Sequence, residues 1–135
     1  MAEYLLRDRL GPDSGWKVIS AGLSAGDGMP ASRSAVQVLK ERKIDMSAHL
    51  SQPLFRELID ESALIVVMTA SHLAQLRVMY PAVIEKAFLL KSFDPSRSGG
   101  DVDDPIGSSV DVYRGIRDEI EDALPGLISF MKDIE

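Results

Sequence analysis

The chain has no cysteine and only two histidines, His49 and His72, in 135 residues. The first absence excludes disulfides, thiolate metal sites and a thiol nucleophile within these residues. The second argues against a histidine-rich metal site, so no metal and no cofactor is expected. Positive charge is not in excess either: 15 Lys and Arg stand against 21 Asp and Glu, a formal net charge of −6 at pH 7. That balance speaks against nucleic acid or an anionic membrane as partner. No apolar run approaches the roughly 20 residues of a bilayer-spanning helix, and residues 1–10 carry too much charge for a signal peptide. A cytoplasmic protein is expected. The connection at 23–29 is rich in glycine but has no Gly-Lys-Ser/Thr ending, so it reads as a plain loop.

What is present suits one soluble domain, 1–135, with a proper core: 45% of residues are hydrophobic and 27% charged. Residues 1–10 read as a helix already under way, with Leu5, Leu6 and Leu10 on one face and no Ser, Thr, Asp or Asn ahead of Met1 to cap it. Residues 16–21 read as a short strand closing on Gly22. A helix is expected over 30–43, with Pro30 near its first turn, Val36 and Leu39 on its apolar face, and Lys40, Arg42 and Lys43 at its end. A polar loop carrying His49 leads to a second amphipathic helix over 53–61, for which Ser51 is the expected N-cap.

The continuous apolar run 63–69 has the length and β-branched content of a strand buried on both faces, as in parallel sheets. Residues 71–79 read as helix ending before Pro81, and 87–93 as a second apolar strand. A long helix is expected over 108–132, its stripe formed by Val110, Tyr113, Ile116, Ile120, Ala123, Leu124 and Leu127. Pro125 and Gly126 should kink or break it, because an interior proline costs about 3 kcal/mol. Strands alternating with helices predict an α/β fold, a three-layer sandwich with a short parallel sheet and functional loops at the carboxyl ends of its strands.

One such loop gathers most of the chemistry. Residues 99–107, Gly-Gly-Asp-Val-Asp-Asp-Pro-Ile-Gly, place three carboxylates between glycines. Pro105 fixes its own φ and holds Asp104 out of the helical region, in an extended pose. The glycines allow the loop to fold over a neighbouring site. A carboxylate held this way suits a general acid.

Met1-Ala2-Glu3 opening a helix, Ser20-Ala21-Gly22, His49-Leu50-Ser51, Val66-Val67-Met68-Thr69 and Asp104-Pro105-Ile106-Gly107 occur in that order. Together they resemble the low-molecular-weight protein tyrosine phosphatase family over the whole chain. The tail from Gly100 to Tyr113 is most similar to its bacterial branch, which includes protein-arginine phosphatases. The resemblance implies hydrolysis of a phosphorylated protein or small aryl phosphate through a phosphocysteine, with Asp104 as acid and then base. Asp101 and Asp103 are neighbours that tune it or solvated charges. Ser20 and His49 match positions that brace the phosphate loop, and Ile106 stands where relatives often carry an aromatic wall for the substrate.

The family's first strand and its Cys-x5-Arg-Ser-Pro loop normally precede the helix that here opens at Met1. The resemblance therefore implies an N-terminally truncated domain, inactive alone, whose unpaired strands favour self-association. The alternative reading is a non-catalytic interaction protein that keeps the fold. Arsenate reduction on this scaffold would need additional cysteines. A phospho-acceptor receiver would need an acidic residue where Thr69 stands, and a flavodoxin-like carrier a phosphate-cradling Ser/Thr loop near the start.

Overall fold

The computed structural model describes residues 1–23, 27–96 and 100–135. Part of the glycine-rich connection, 24–26, and Gly99 at the head of the acidic loop lie outside the described residues. Two compact units divide the chain: Met1–Pro53 with Asp104–Glu121, and Leu54–Asp103 with Asp122–Glu135.

In the first unit, helix α1 (Ala2–Leu10) has no side-chain cap at Met1 and buries Leu5. The strand expected at 16–21 does not form, since those residues have no ladder partner among the described residues. Apolar content can suggest a strand, but a ladder needs a neighbouring chain to receive its backbone groups. Only single bridges occur nearby, Gly22 parallel to Pro53 and Pro30 antiparallel to Leu50. They pin the segment carrying His49 between the chain at 20–22 and the chain at 28–30. Helix α2 (Arg33–Lys40) starts later than expected because Ser32 Oγ accepts the Ala35 N–H at 3.2 Å, capping the helix beyond Pro30. It also ends earlier: Lys43 adopts φ 61°, and the Ile44 N–H returns to the Leu39 carbonyl at 3.1 Å. Ala35, Val38, Leu39, Ile44 and Met46 are buried.

The second unit holds the sheet. Helix α3 (Arg56–Glu61) is followed by β1 (Ile65–Val67), α4 (Ala70–Met79), a 3₁₀ turn at Pro81–Glu85, β2 (Ala87–Leu89) and a second 3₁₀ turn at Leu90–Phe93. The strands pair in parallel, Ile65 with Ala87, Val66 with Phe88 and Val67 with Leu89. They are shorter than the apolar runs predicted, and β1 is half-buried rather than enclosed on both faces. Ser51 does not cap α3, which begins after Phe55 with no side-chain cap; its hydroxyl accepts the Met29 N–H at 3.0 Å instead. Lys86 Nζ donates to the carbonyls of Ile59 and Ser62 at 2.6 and 2.8 Å, tying the end of α3 to the start of β2.

Helix α5 (Val110–Asp133) runs through Pro125 without a break. Pro125 is exposed, so the carbonyl deprived of its donor can be served by water at modest cost. The α5 stripe is buried at Tyr113, Ile120, Ala123, Leu124, Leu127 and Met131, as the periodicity predicts, but Arg117 joins it at 3% exposure. Its guanidinium donates to the Val38 carbonyl at 3.0 Å and to Glu41 at 2.6 Å.

Candidate active site

The first cluster of candidate residues forms around Glu3, which sequence reasoning used only as part of a motif. Helix α1 holds Glu3 in its first turn, where a carboxylate complements the positive end of the helix. Its side chain is only 10% exposed. Ser20 Oγ donates to Glu3 Oε1 at 2.5 Å, and Arg7, one turn along α1, pairs with Oε2. His49 Nδ1 stands 4.0 Å from Oε1, an ion pair whenever the imidazole is protonated. The imidazole also meets the Tyr4 ring edge-on at 5.4 Å between centroids. Arg7 donates to the Val18 carbonyl at 2.7 Å and lies 5.0 Å over the Tyr4 ring; Gln52 Nε2 donates to the Ser20 carbonyl at 2.9 Å.

Ser20 and His49 are thus brought together from segments far apart in sequence around one carboxylate, which accepts the Ser20 hydroxyl and stands 4.0 Å from the His49 imidazole. Such a cluster can fix the position of a loop without itself performing bond chemistry. The signal that could have found Glu3 is its place in the first helical turn, beside an i,i+4 arginine.

The acidic loop is built differently at its two ends. In the second unit, Asp101 Oδ1 accepts the Ala70 N–H at 2.8 Å, and the Val102 N–H donates to the Met68 carbonyl at 2.8 Å. Ala70 opens α4, whose other early N–H at His72 is taken by Thr69 Oγ1 at 3.1 Å. Val102 is 2% exposed. Asp101, though exposed, therefore satisfies the first N–H of α4, where a carboxylate also complements the positive end of the helix.

In the first unit, Asp104 is exposed and its Oδ1 accepts the Ile106 N–H at 3.0 Å. The Ser108 N–H closes a turn onto the Pro105 carbonyl at 2.8 Å, and Gly107 supplies the φ of 79° that this turn requires. Ile106 sits on that turn at 76% exposure. The carboxylate is oriented through one oxygen, which leaves the other available to a ligand. No hydrogen bond or ion pair joins Asp104 to Glu3, Ser20 or His49 among the described residues. No group of His, Asp and Glu there could hold a metal ion, and no helix is long and apolar enough to cross a membrane.

Residues 1–134 match the sequence profile of the family described as low molecular weight phosphotyrosine protein phosphatase. A protein-arginine-phosphatase of Geobacillus stearothermophilus is 40% identical over 121 residues, which are 90% of this chain and 79% of that protein. A probable low molecular weight protein-tyrosine-phosphatase of Ralstonia solanacearum is 36% identical over 92% of this chain and 76% of its own length. The solved structure of an arginine phosphatase from Geobacillus stearothermophilus superposes with a TM-score of 0.87 at 36% identity, covering 98% of this chain and 83% of that one. The chain belongs to the low molecular weight phosphotyrosine protein phosphatase family. Its fold is that family's α/β fold, and at family level its function is protein phosphatase.

Proposed function

We propose that this protein hydrolyses phosphotyrosine or phosphoarginine on proteins, with Asp104 as general acid and base. The observation that carries the reading is the Asp104 carboxylate, oriented by the Ile106 N–H beside Pro105 in an exposed loop. In the first step a cysteine thiolate bonds to phosphorus while the bond to the leaving oxygen or nitrogen breaks, and that atom takes the Asp104 proton. Asp104, now a carboxylate, then takes a proton from the water that attacks the phosphocysteine, releasing phosphate and regenerating the thiolate. Ser20 and His49, gathered on Glu3, would brace the loop that cradles the phosphate. Ile106 offers an aliphatic wall, which favours substrates that do not rely on aromatic stacking.

Residues 1–135 hold no cysteine, so the nucleophile of this reading lies outside them. We take the 135 residues as a single phosphatase-like domain without its nucleophilic loop, inactive alone and prone to pair with a second copy through open strand edges. The lack of cysteine also supports a second reading, a non-catalytic binding protein of the same fold.

Four proteins test the proposal: the 135-residue chain, the same chain preceded by a strand and Cys-x5-Arg-Ser-Pro, and the Asp104→Asn and Asp103→Asn variants of the extended form. The short chain should give no turnover of an aryl phosphate, since losing a nucleophile costs on the order of a million-fold. The extended chain should turn over. Asp104→Asn should lower its kcat by about 10²–10⁴-fold, and Asp103→Asn much less. Turnover by the short chain, or greater sensitivity at Asp103, would overturn the assignment.

A further inference from the structure

We infer that Asp101 is a positioning residue for the acid step, acting through its bond to the Ala70 N–H. The inference rests on the phosphatase reading. Two anchors hold the loop immediately before the acid: Asp101 Oδ1 on the Ala70 N–H and the Val102 N–H on the Met68 carbonyl, both at 2.8 Å. Val102, 2% exposed, secures the second anchor by burial. Asp104 follows Val102 by only two residues, and Pro105 stiffens the next link. Only Asp103 stands between the anchored Val102 and the carboxylate that must meet the leaving atom. A displacement of about 1 Å in a reacting group can cost on the order of 10²-fold in rate. The anchor is also local: one carboxylate oxygen and one N–H at the first residue of α4, with Thr69 Oγ1 still capping His72 if it is lost.

The consequence is specific to proton delivery. As the thiolate displaces a leaving oxygen, a poor leaving group needs the Asp104 proton and a good one does not. A misplaced acid therefore slows phosphoenzyme formation, the step that kcat/KM reports, only for the first kind, whereas the later hydrolysis of the phosphocysteine is common to both. The test measures kcat/KM for phenyl phosphate and for 2,4-dinitrophenyl phosphate with the extended chain, preceded by a strand and Cys-x5-Arg-Ser-Pro. Three variants are compared with the parent: Asp101→Ala, Asp101→Asn and Ala70→Pro. Ala70→Pro removes the donor without touching Asp101. Proline is well tolerated at the first helical position, and Thr69 already has the extended conformation that precedes proline, φ −129° and ψ 154°. It therefore carries the test if Asp101→Ala does not fold.

Asp101→Ala and Ala70→Pro should each lower kcat/KM for phenyl phosphate by roughly 10–100-fold, leaving kcat/KM for the dinitrophenyl ester within about twofold. Asp101→Asn keeps an acceptor oxygen and should retain most of the activity. Equal losses of kcat/KM on both esters, unchanged kcat/KM, or an Asp101→Asn variant as impaired as Asp101→Ala would overturn the inference while leaving the phosphatase reading intact. A parent protein without turnover overturns that reading, and this inference with it.

Discussion

Helix α5 contains two glycines whose replacement by alanine should change stability in opposite directions. At Gly115 an added Cβ meets nothing within 4 Å, so Gly115→Ala should gain the intrinsic helix preference of alanine, about 1 kcal/mol. At Gly126 the same Cβ would stand 2.0 Å from the Phe93 carbonyl oxygen, 3.1 Å from the carbonyl carbon and 3.4 Å from Phe93 Cβ. An ordinary contact needs well over 1 Å more, and the obstacle is backbone, which cannot swing aside as a side-chain tip can. The 3₁₀ turn carrying Phe93 also contains buried Leu90, and the Phe93 ring packs at 5.9 Å from Phe88 and 5.4 Å from Phe130. Moving that turn loosens aromatic contacts worth roughly 0.5–1.5 kcal/mol each, and overpacking of this kind costs about 1–3 kcal/mol. The clash outweighs the propensity gain, so Gly126→Ala should destabilise by about 1–2 kcal/mol. Urea unfolding followed by circular dichroism, with parent and both variants side by side, reads both signs. A Gly126→Ala midpoint at or above the parent's would show that α5 and the Phe93 turn do not approach as closely as described.

Acid should weaken the junction of α2 and α5. Hydrogen bonds from Arg114 and then Arg117 hold the Glu41 carboxyl down at about 2, below its ordinary 4.5. A depressed carboxylate stabilises the fold above the unfolded value, and that stabilisation fades as pH falls from about 4.5 towards 2. The stability difference between parent and Glu41→Gln should therefore be full at pH 6 and shrink across that window; a constant difference would refute the assignment. Lys86→Met should cost about 1–3 kcal/mol, because it deprives the Ile59 and Ser62 carbonyls of their shared donor. A melting curve matching the parent's would refute that tie.

The fold was legible where a local rule and its tertiary setting agreed. Helices α1 and α5 follow from their apolar spacing, α4 ends where Pro81 was expected to stop it, and the parallel pairing of β1 with β2 follows from two β-branched or aromatic runs flanking a helix. Boundaries moved where a competing local bond won, as Ser32 did over Pro30 at α2 and Lys43 did at its end. Residues 16–21 have strand-like content but no ladder partner among the described residues, and Pro125, exposed, does not break α5. A buried Arg117 inside an apolar stripe was not legible at all, because its partners, the Val38 carbonyl and Glu41, lie on another helix.

The candidate site shows the same division, with a clearer physical cause. Asp104 could be singled out from sequence because Pro105 and Gly107 constrain the backbone next to it, and local constraint is written in local residues. The role of Asp101 rests instead on its partner, which sequence does not display. The Ala70 N–H that claims Asp101 lies 31 positions earlier. The same holds at Glu3: the motif position was visible, but its role depends on the Ser20 hydroxyl, 17 residues on, and on the segment that brings the His49 imidazole to 4.0 Å. Each of these carboxylates takes its role from a donor delivered by another element. Substitutions that remove the donor and spare the carboxylate, as Ala70→Pro does, therefore separate that role from the charge itself.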